Sequence, residues 1–266
     1  MASHPFPWTP QTRPVIGMLH APPLPGSPHF GGDMAAAKDA VLRDAEALAA
    51  GGVHALLLEN FGDAPFFPRR VQAATLAQMT ALAAEVRRRF DLPLGINLLR
   101  NDGRGALAVA QAVGGAFIRV NVLCGARVTG QGIIQGIAHR LLRDRAALGA
   151  QHIQILADVD VKHSAPLAAR PIEIEAAELI HRGGADGLIV SGLATGQPPS
   201  AKEVQAVKAA AGEVPVLLGS GVTTDNAAGL AAWADGYIVG TAFKKDGRIA
   251  NPVDAARVKG FMACVV

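Results

Sequence analysis

The chain has 266 residues, half of them hydrophobic and 18% charged, with 25 basic against 22 acidic side chains and a formal net charge of +3. That apolar content excludes a disordered chain. Apart from Arg87-Arg88-Arg89, which reads as a helix end, the basic residues are scattered, and aromatics make up only 5%, so nothing demands nucleic acid and few stacking platforms are available for it.

Residues 1–14 read as a Pro-rich N-terminal extension ahead of one domain over 15–266, a length that suits a single α/β barrel. Cys124 and Cys264 lie far apart and match no metal or redox spacing, so reduced thiols in a cytoplasmic protein are expected. No stretch offers about 18 unbroken apolar residues, which argues against an integral membrane segment.

In chain order, strand patterns run from Val15 to His20, Ala55 to Asn60, Leu94 to Leu99, Phe117 to Val122, Ile153 to Asp160, Gly187 to Ser191, Val214 to Gly219 and Gly236 to Thr241. Alanine-rich helical patterns fill the gaps, at Asp33 to Ala50, Val71 to Phe90, Gly105 to Ala112, Gly132 to Leu148, Ile172 to Arg182, Ala201 to Ala211 and Thr224 to Ala232. Gly51-Gly52, Gly114-Gly115, Gly149-Ala150 and Gly183-Gly184 precede strands, where each is expected to end a helix in the left-handed conformation. Strict alternation predicts a parallel sheet, and eight repeats predict its closure into a single (β/α)8 TIM barrel. A doubly wound open sheet is the alternative.

In such a barrel the site lies at the carboxyl ends of the strands. There the sequence offers His20, Glu59 and Asn60, Asn97 and Arg100, Arg119 and Asn121, then Asp158, Asp160, Lys162 and His163, and finally Ser191. Strand alternation predicts that Asp158, Asp160 and Lys162 share one face. Unpaired charge is costly to bury. So many ionisable groups at strand ends therefore point to chemistry.

The last two strands end in Gly219-Ser220-Gly221 and Gly240-Thr241. Glycines let backbone amides approach an anion, and barrels commonly bind phosphate after these strands. The segment Gly130 to Gly136 reads as a flexible lid running into a helix, and Pro22 to Pro28 as a stiff loop over the mouth. His20, Glu59, Asp158 and His163 are of types that hold a divalent metal, yet no compact motif joins them. No cofactor is assigned with certainty.

The blocks Gly17 to Pro28, Glu59 to Phe66, Phe117 to Asn121, Ala157 to His163 and Gly219 to Val222 resemble the signature blocks of the BtpA family, which includes SgcQ-type proteins. The likeness runs from about Val15 to Met262. It implies a barrel similar to the ribulose-phosphate-binding barrels, with phosphate loops at Gly219, Ser220 and Gly221 and at Gly240 and Thr241. Cyanobacterial members are associated with photosystem I accumulation, whereas other bacterial members look like sugar-metabolism enzymes. The family pattern has an Asp where this chain has Gly130, so altered activity is expected if that acid is catalytic in relatives.

Two functions are therefore open. The first is an enzyme acting on a phosphorylated sugar or sugar-derived metabolite by isomerase, epimerase or lyase-type carbon-acid chemistry. Glu59 and Asp158 would be bases, Asp160 an orienting carboxylate, and Lys162 and Arg119 stabilisers of negative charge, with a Schiff base at Lys162 as a variant. His20, Asn60, Asn97, Asn121, His163 and Ser191 would bind substrate. The second is a non-catalytic binding or assembly factor presenting Phe61, Phe66 and Phe67 to a partner. A homo-oligomer is expected in either case.

Overall fold

The computed structural model describes residues 13–192 and 197–265. Residues 1–12 of the expected extension lie outside that range.

Eight parallel strands close into a barrel, as expected. They are β1 (Val15–His20), β2 (Ala55–Glu59), β3 (Leu94–Asn97), β4 (Phe117–Val120), β7 (Gln154–Asp158), β9 (Gly187–Val190), β10 (Val216–Leu218) and β11 (Gly236–Val239). Each pairs with its neighbours in that order, and β1 closes the ring against β11. The outer helices are α1 (Met34–Gly51), α2 (Ala73–Arg89), α3 (Gly103–Val113), α4 (Ala138–Ala147), α5 (Ile172–His181), α6 (Ala201–Ala211), α7 (Thr224–Leu230) and α8 (Ala255–Val265). α8 was not among the expected helices; its Val258 and Phe261 are fully covered. At the anticipated glycine positions, Gly52, Gly114, Gly149 and Gly184 have φ of 91°, 66°, 61° and 66°, the left-handed turn that ends a helix.

Two apolar layers hold the barrel. Inside it, Ile16, Met18, Ala55, Leu57, Phe117, Leu156, Ile189, Leu217 and Ile238 form one cluster. Outside, the opposite faces of the same strands pack on the helices through residues such as Leu19, Leu56, Leu48 and Met79. Large and small side chains alternate in the fill: a Cβ on Gly95 would lie 2.1 Å from the Phe117 ring, so that ring occupies the space that β3 leaves open.

Several boundaries differ from the sequence reading. β7 stops at Asp158 rather than Asp160, so alternation does not carry Asp160 and Lys162 onto its inward face. β1 runs to His20 as expected, but the remaining strands also end early, and the polar backbone beyond two of them turns to meet side chains: Asn60 Oδ1 accepts from Leu99 N at 2.7 Å, and Asn101 Oδ1 from Val122 N at 2.9 Å.

Gly132 to Gln135 is not helical. It forms β6 (Gly132–Gln135), the second arm of a hairpin with β5 (Ala126–Thr129), and β5 also pairs with β8 (Ser164–Pro166). Ile133 is exposed and Ile134 buried, a strand alternation. Gly132 at φ +88° supplies a conformation that suits the turn. Gly130 lies at the tip of this hairpin, where an added Cβ would meet nothing within 4 Å.

Candidate active site

The period-two alternation inside the barrel has one more step. Two residues beyond each inward position of the apolar floor stand His20, Glu59, Asn97, Arg119, Asp158, Ser191, Gly219 and Gly240, one for each strand. The strand pattern itself therefore builds a polar layer on that floor.

Within this layer Arg119 and Asp158 form a bidentate pair, Nε to Oδ2 at 3.0 Å and a terminal nitrogen to Oδ1 at 2.7 Å, almost wholly removed from solvent. Asn121 donates to the same carboxylate at 2.7 Å, and Ser191 Oγ stands 3.5 Å from its other oxygen. Burial alone would lower the Arg119 pKa, but Asp158 outweighs it and keeps the guanidinium protonated. Glu59 accepts from Asn97 Nδ2 at 2.5 Å. That bond anchors one oxygen and orients the carboxyl group.

Lys162 enters from the loop after β7. Arg100 holds that loop by donating to the Lys162 carbonyl at 2.6 Å. The Lys162 pKa is lowered, first by burial and then by Arg119, with Glu59 and Asp158 pulling the other way. Its side chain thus has more neutral amine at neutral pH than a lysine in water.

His20 is pushed down to a pKa of about 3, chiefly by burial and then by Lys244, Lys162 and Arg119. It is a neutral imidazole at physiological pH, and its Nδ1 makes no hydrogen bond among the described residues. Phe61 meets the ring edge-on at a centroid distance of 4.8 Å.

Of these groups His20, Glu59, Phe61, Arg119 and Lys162 open onto one cavity of about 250 Å³. Its lining joins His20, Glu59, Arg119 and Lys162 to Gly219, Ser220, Gly221, Gly240 and Thr241. A Cβ on Gly240 would stand 2.7 Å from His20 Cε1, and one on Gly219 2.3 Å from Ile189. Both glycines are needed for close approach. The Gly219 N–H is already occupied by the Val190 carbonyl at 2.8 Å, so Gly219 offers the cavity space and no free donor.

The helix after this loop, α7, has only seven residues. Its entry amide Thr223 N bonds Asn226 Oδ1 at 2.9 Å. The stronger positive group is Arg257 on α8, which lines the cavity with its Nε fixed to the Ala242 carbonyl at 2.8 Å. The sequence reading missed Arg257, which stands beyond the eighth strand and its loop.

Not all the expected residues converge. Asp160 instead pairs with Arg127 at the rim, and with Ser191 it lines a neighbouring cavity of about 320 Å³ that meets the first at Lys162. Asn60 braces Leu99 and Asp63, and Asn97 and Asn121 hold carboxylates, so none of the three lines the 250 Å³ cavity. His163 is also absent from its lining. Among the described residues no group of three or more His, Cys, Asp or Glu side chains is placed to hold a metal. The set His20, Glu59, Asp158 and His163 does not come together as ligands, because Asp158 is committed to Arg119. Of the phenylalanines, Phe61 lines the cavity while Phe67 remains 48% exposed.

A family model described as the BtpA family matches residues 11–266. The chain belongs to the BtpA family. It is 45% identical over 250 residues to the photosystem I biogenesis protein BtpA of Synechocystis sp., covering 94% of this chain and 87% of the relative. An uncharacterised protein of Thermococcus kodakarensis is 44% identical, with 94% of each chain covered.

Among solved structures, phosphoribosylanthranilate isomerase from Pyrococcus furiosus aligns with a TM-score of 0.58 at 12% identity, over 95% of this chain and 98% of that one. A mutant tryptophan synthase α-subunit from the same organism gives 0.56 at 20% identity, over 86% and 87%. At such identities these likenesses establish the TIM-barrel fold alone. Among the described residues, no helix of this BtpA-family chain is long and apolar enough to cross a membrane.

Proposed function

We propose that this protein is an enzyme acting on a phosphorylated sugar or a sugar-derived phosphate ester, by proton transfer next to a carbonyl or by lyase-type chemistry at the same carbon. The observation that carries this reading is the cavity whose lining brings His20, Glu59, Arg119 and Lys162 together with the loops bearing Ser220 and Thr241. Phosphate would be held by those loops and Arg257. Its sugar carbonyl would then extend toward Lys162 and Arg119.

Glu59 is the base in this scheme, since it reaches the cavity with one oxygen anchored by Asn97. Asp158 serves as a positioning residue instead of a base, because Arg119 and Asn121 occupy its oxygens. Lys162 and Arg119 would stabilise the enediolate oxygen. The lowered Lys162 pKa also suits a carbonyl-trapping amine. The solved neighbours include an isomerase and a synthase subunit, which is consistent with enzyme chemistry on this fold.

The test is thermal stabilisation across a panel of sugar phosphates, with Ser220→Asp to place a negative charge in the cradle. The wild type should be stabilised and the variant not; equal behaviour, or no ligand effect, rejects the phosphate assignment. Once a substrate is found, Glu59→Gln should lower kcat by orders of magnitude. Borohydride reduction with that substrate should leave a covalent mass on Lys162 only if the imine route operates.

A second reading, an assembly factor, draws on the name of the Synechocystis relative and on exposed Phe67. Recovery of a specific partner by the wild type, lost in Phe66→Ser and Phe67→Ser, would favour it over catalysis.

A further inference from the structure

A second concavity of about 450 Å³ opens at the carboxyl ends of β3 and β4, between the first residues of α3 and α4. Arg69 and Arg70 reach it from the β2–α2 connection, and His139 and Arg140 from the first turn of α4. Its negative lining is already committed. Asp102 accepts from Val71 N at 3.0 Å and Gly105 N at 2.9 Å, while Asp144, just outside, pairs with Arg104.

Arg69, Arg70 and Arg140 are exposed and make no side-chain hydrogen bond or ion pair among the described residues. By contrast Arg88, Arg127, Arg145 and Arg170 all stand beside carboxylates. Three guanidinium groups from two chain segments thus line one hollow, against a single lining carboxylate, Asp102, whose oxygens are taken by backbone amides. Their mutual repulsion is modest in water, but it favours whatever anion enters. The hollow has the size of a small-molecule site, and planar forks of N–H donors suit phosphate oxygens.

We propose that this arginine cleft is a second anion-binding site, for a small molecule carrying one or more phosphate groups. In the ring order of the strands, β3 and β4 lie across the barrel from β10 and β11. The cleft is therefore a different site from the cradle proposed above and does not depend on it. It is also wired to the central cavity: Arg100, next to Asn101 of the cleft, donates its backbone N–H to the Phe67 carbonyl at 3.0 Å and its side chain to the Lys162 carbonyl.

Tripolyphosphate is the probe, followed by calorimetry at low and at physiological salt. Binding should weaken roughly fivefold to tenfold in each of Arg70→Gln and Arg140→Gln, more in the double variant, and weaken with salt. Ser220→Asp should leave it unchanged. No binding by the wild type, equal binding by the double variant, or binding of RNA without tripolyphosphate would each overturn the proposal. Loss of tripolyphosphate binding in Ser220→Asp alone would also overturn it, by assigning the anion to the central cavity. Failure of sugar phosphates to respond to Ser220→Asp, with the arginine effect intact, rejects only the function proposed above.

Discussion

His20 ties acidity to stability through a single ring. Its folded pKa of about 3 lies below the unfolded value of 6.5. The unfolded chain therefore binds the proton first as pH falls. The contribution is fully present above pH 6.5 and is lost progressively toward pH 3; between pH 6.5 and 5 the loss is about 2 kcal/mol. Urea unfolding at pH 7 and pH 5 should show that extra acid sensitivity, and His20→Gln should remove it. The Arg119–Asp158 pair makes a different prediction. Asp158→Asn leaves a buried guanidinium without its counter-charge and should cost roughly 3–5 kcal/mol, whereas replacing both partners by Met and Leu should cost less. Position in the sequence revealed His20, Glu59, Arg119 and Asp158, because each is the next inward step of an apolar strand. Their partners were not legible. Nothing local in the chain tells that Asp158 is saturated by Arg119 and Asn121, or that Asp160 turns outward to Arg127.

At the scale of elements, Gly95 and Phe117 form a matched pair across neighbouring strands. Gly95→Ala should destabilise by about 1–3 kcal/mol through overpacking, and Phe117→Leu in the same chain should recover part of it. A double-mutant cycle by chemical denaturation checks the coupling. Asp102 serves two elements at once, capping α3 through Gly105 N and tying down Val71 N. Asp102→Ala should therefore cost about 1–2 kcal/mol and reduce hydrogen-exchange protection at Val71 as well as at Gly105. The barrel strands were legible because buried parallel strands are continuous apolar runs bounded by glycine. The hairpin was not: its glycine spacing and following alanine-rich run imitate a helix start, and the two isoleucines of β6 are too few to reveal a period. α8 escaped because it follows the eighth strand, where alternation no longer demands a helix.

The whole molecule has no free barrel edge, since β1 is hydrogen-bonded on both flanks. α8 completes the shell by packing on α1: a Cβ on Gly51 would fall 2.3 Å from Val258, so the two helices touch nearly backbone to side chain. Deleting residues from Ala255 onward would uncover that seam. The truncated chain should lose cooperative thermal unfolding and bind a hydrophobic dye; a sharp transition near that of the full chain would contradict this account.

Ring closure also has a consequence for biosynthesis. The strand that must seal the circle against Val15 to Gly17 ends at Val239, more than two hundred residues later. At ribosomal speeds of roughly 5–20 residues per second, the first strand waits on the order of ten seconds or more for its second neighbour. During translation its outer edge needs shelter from other nascent chains.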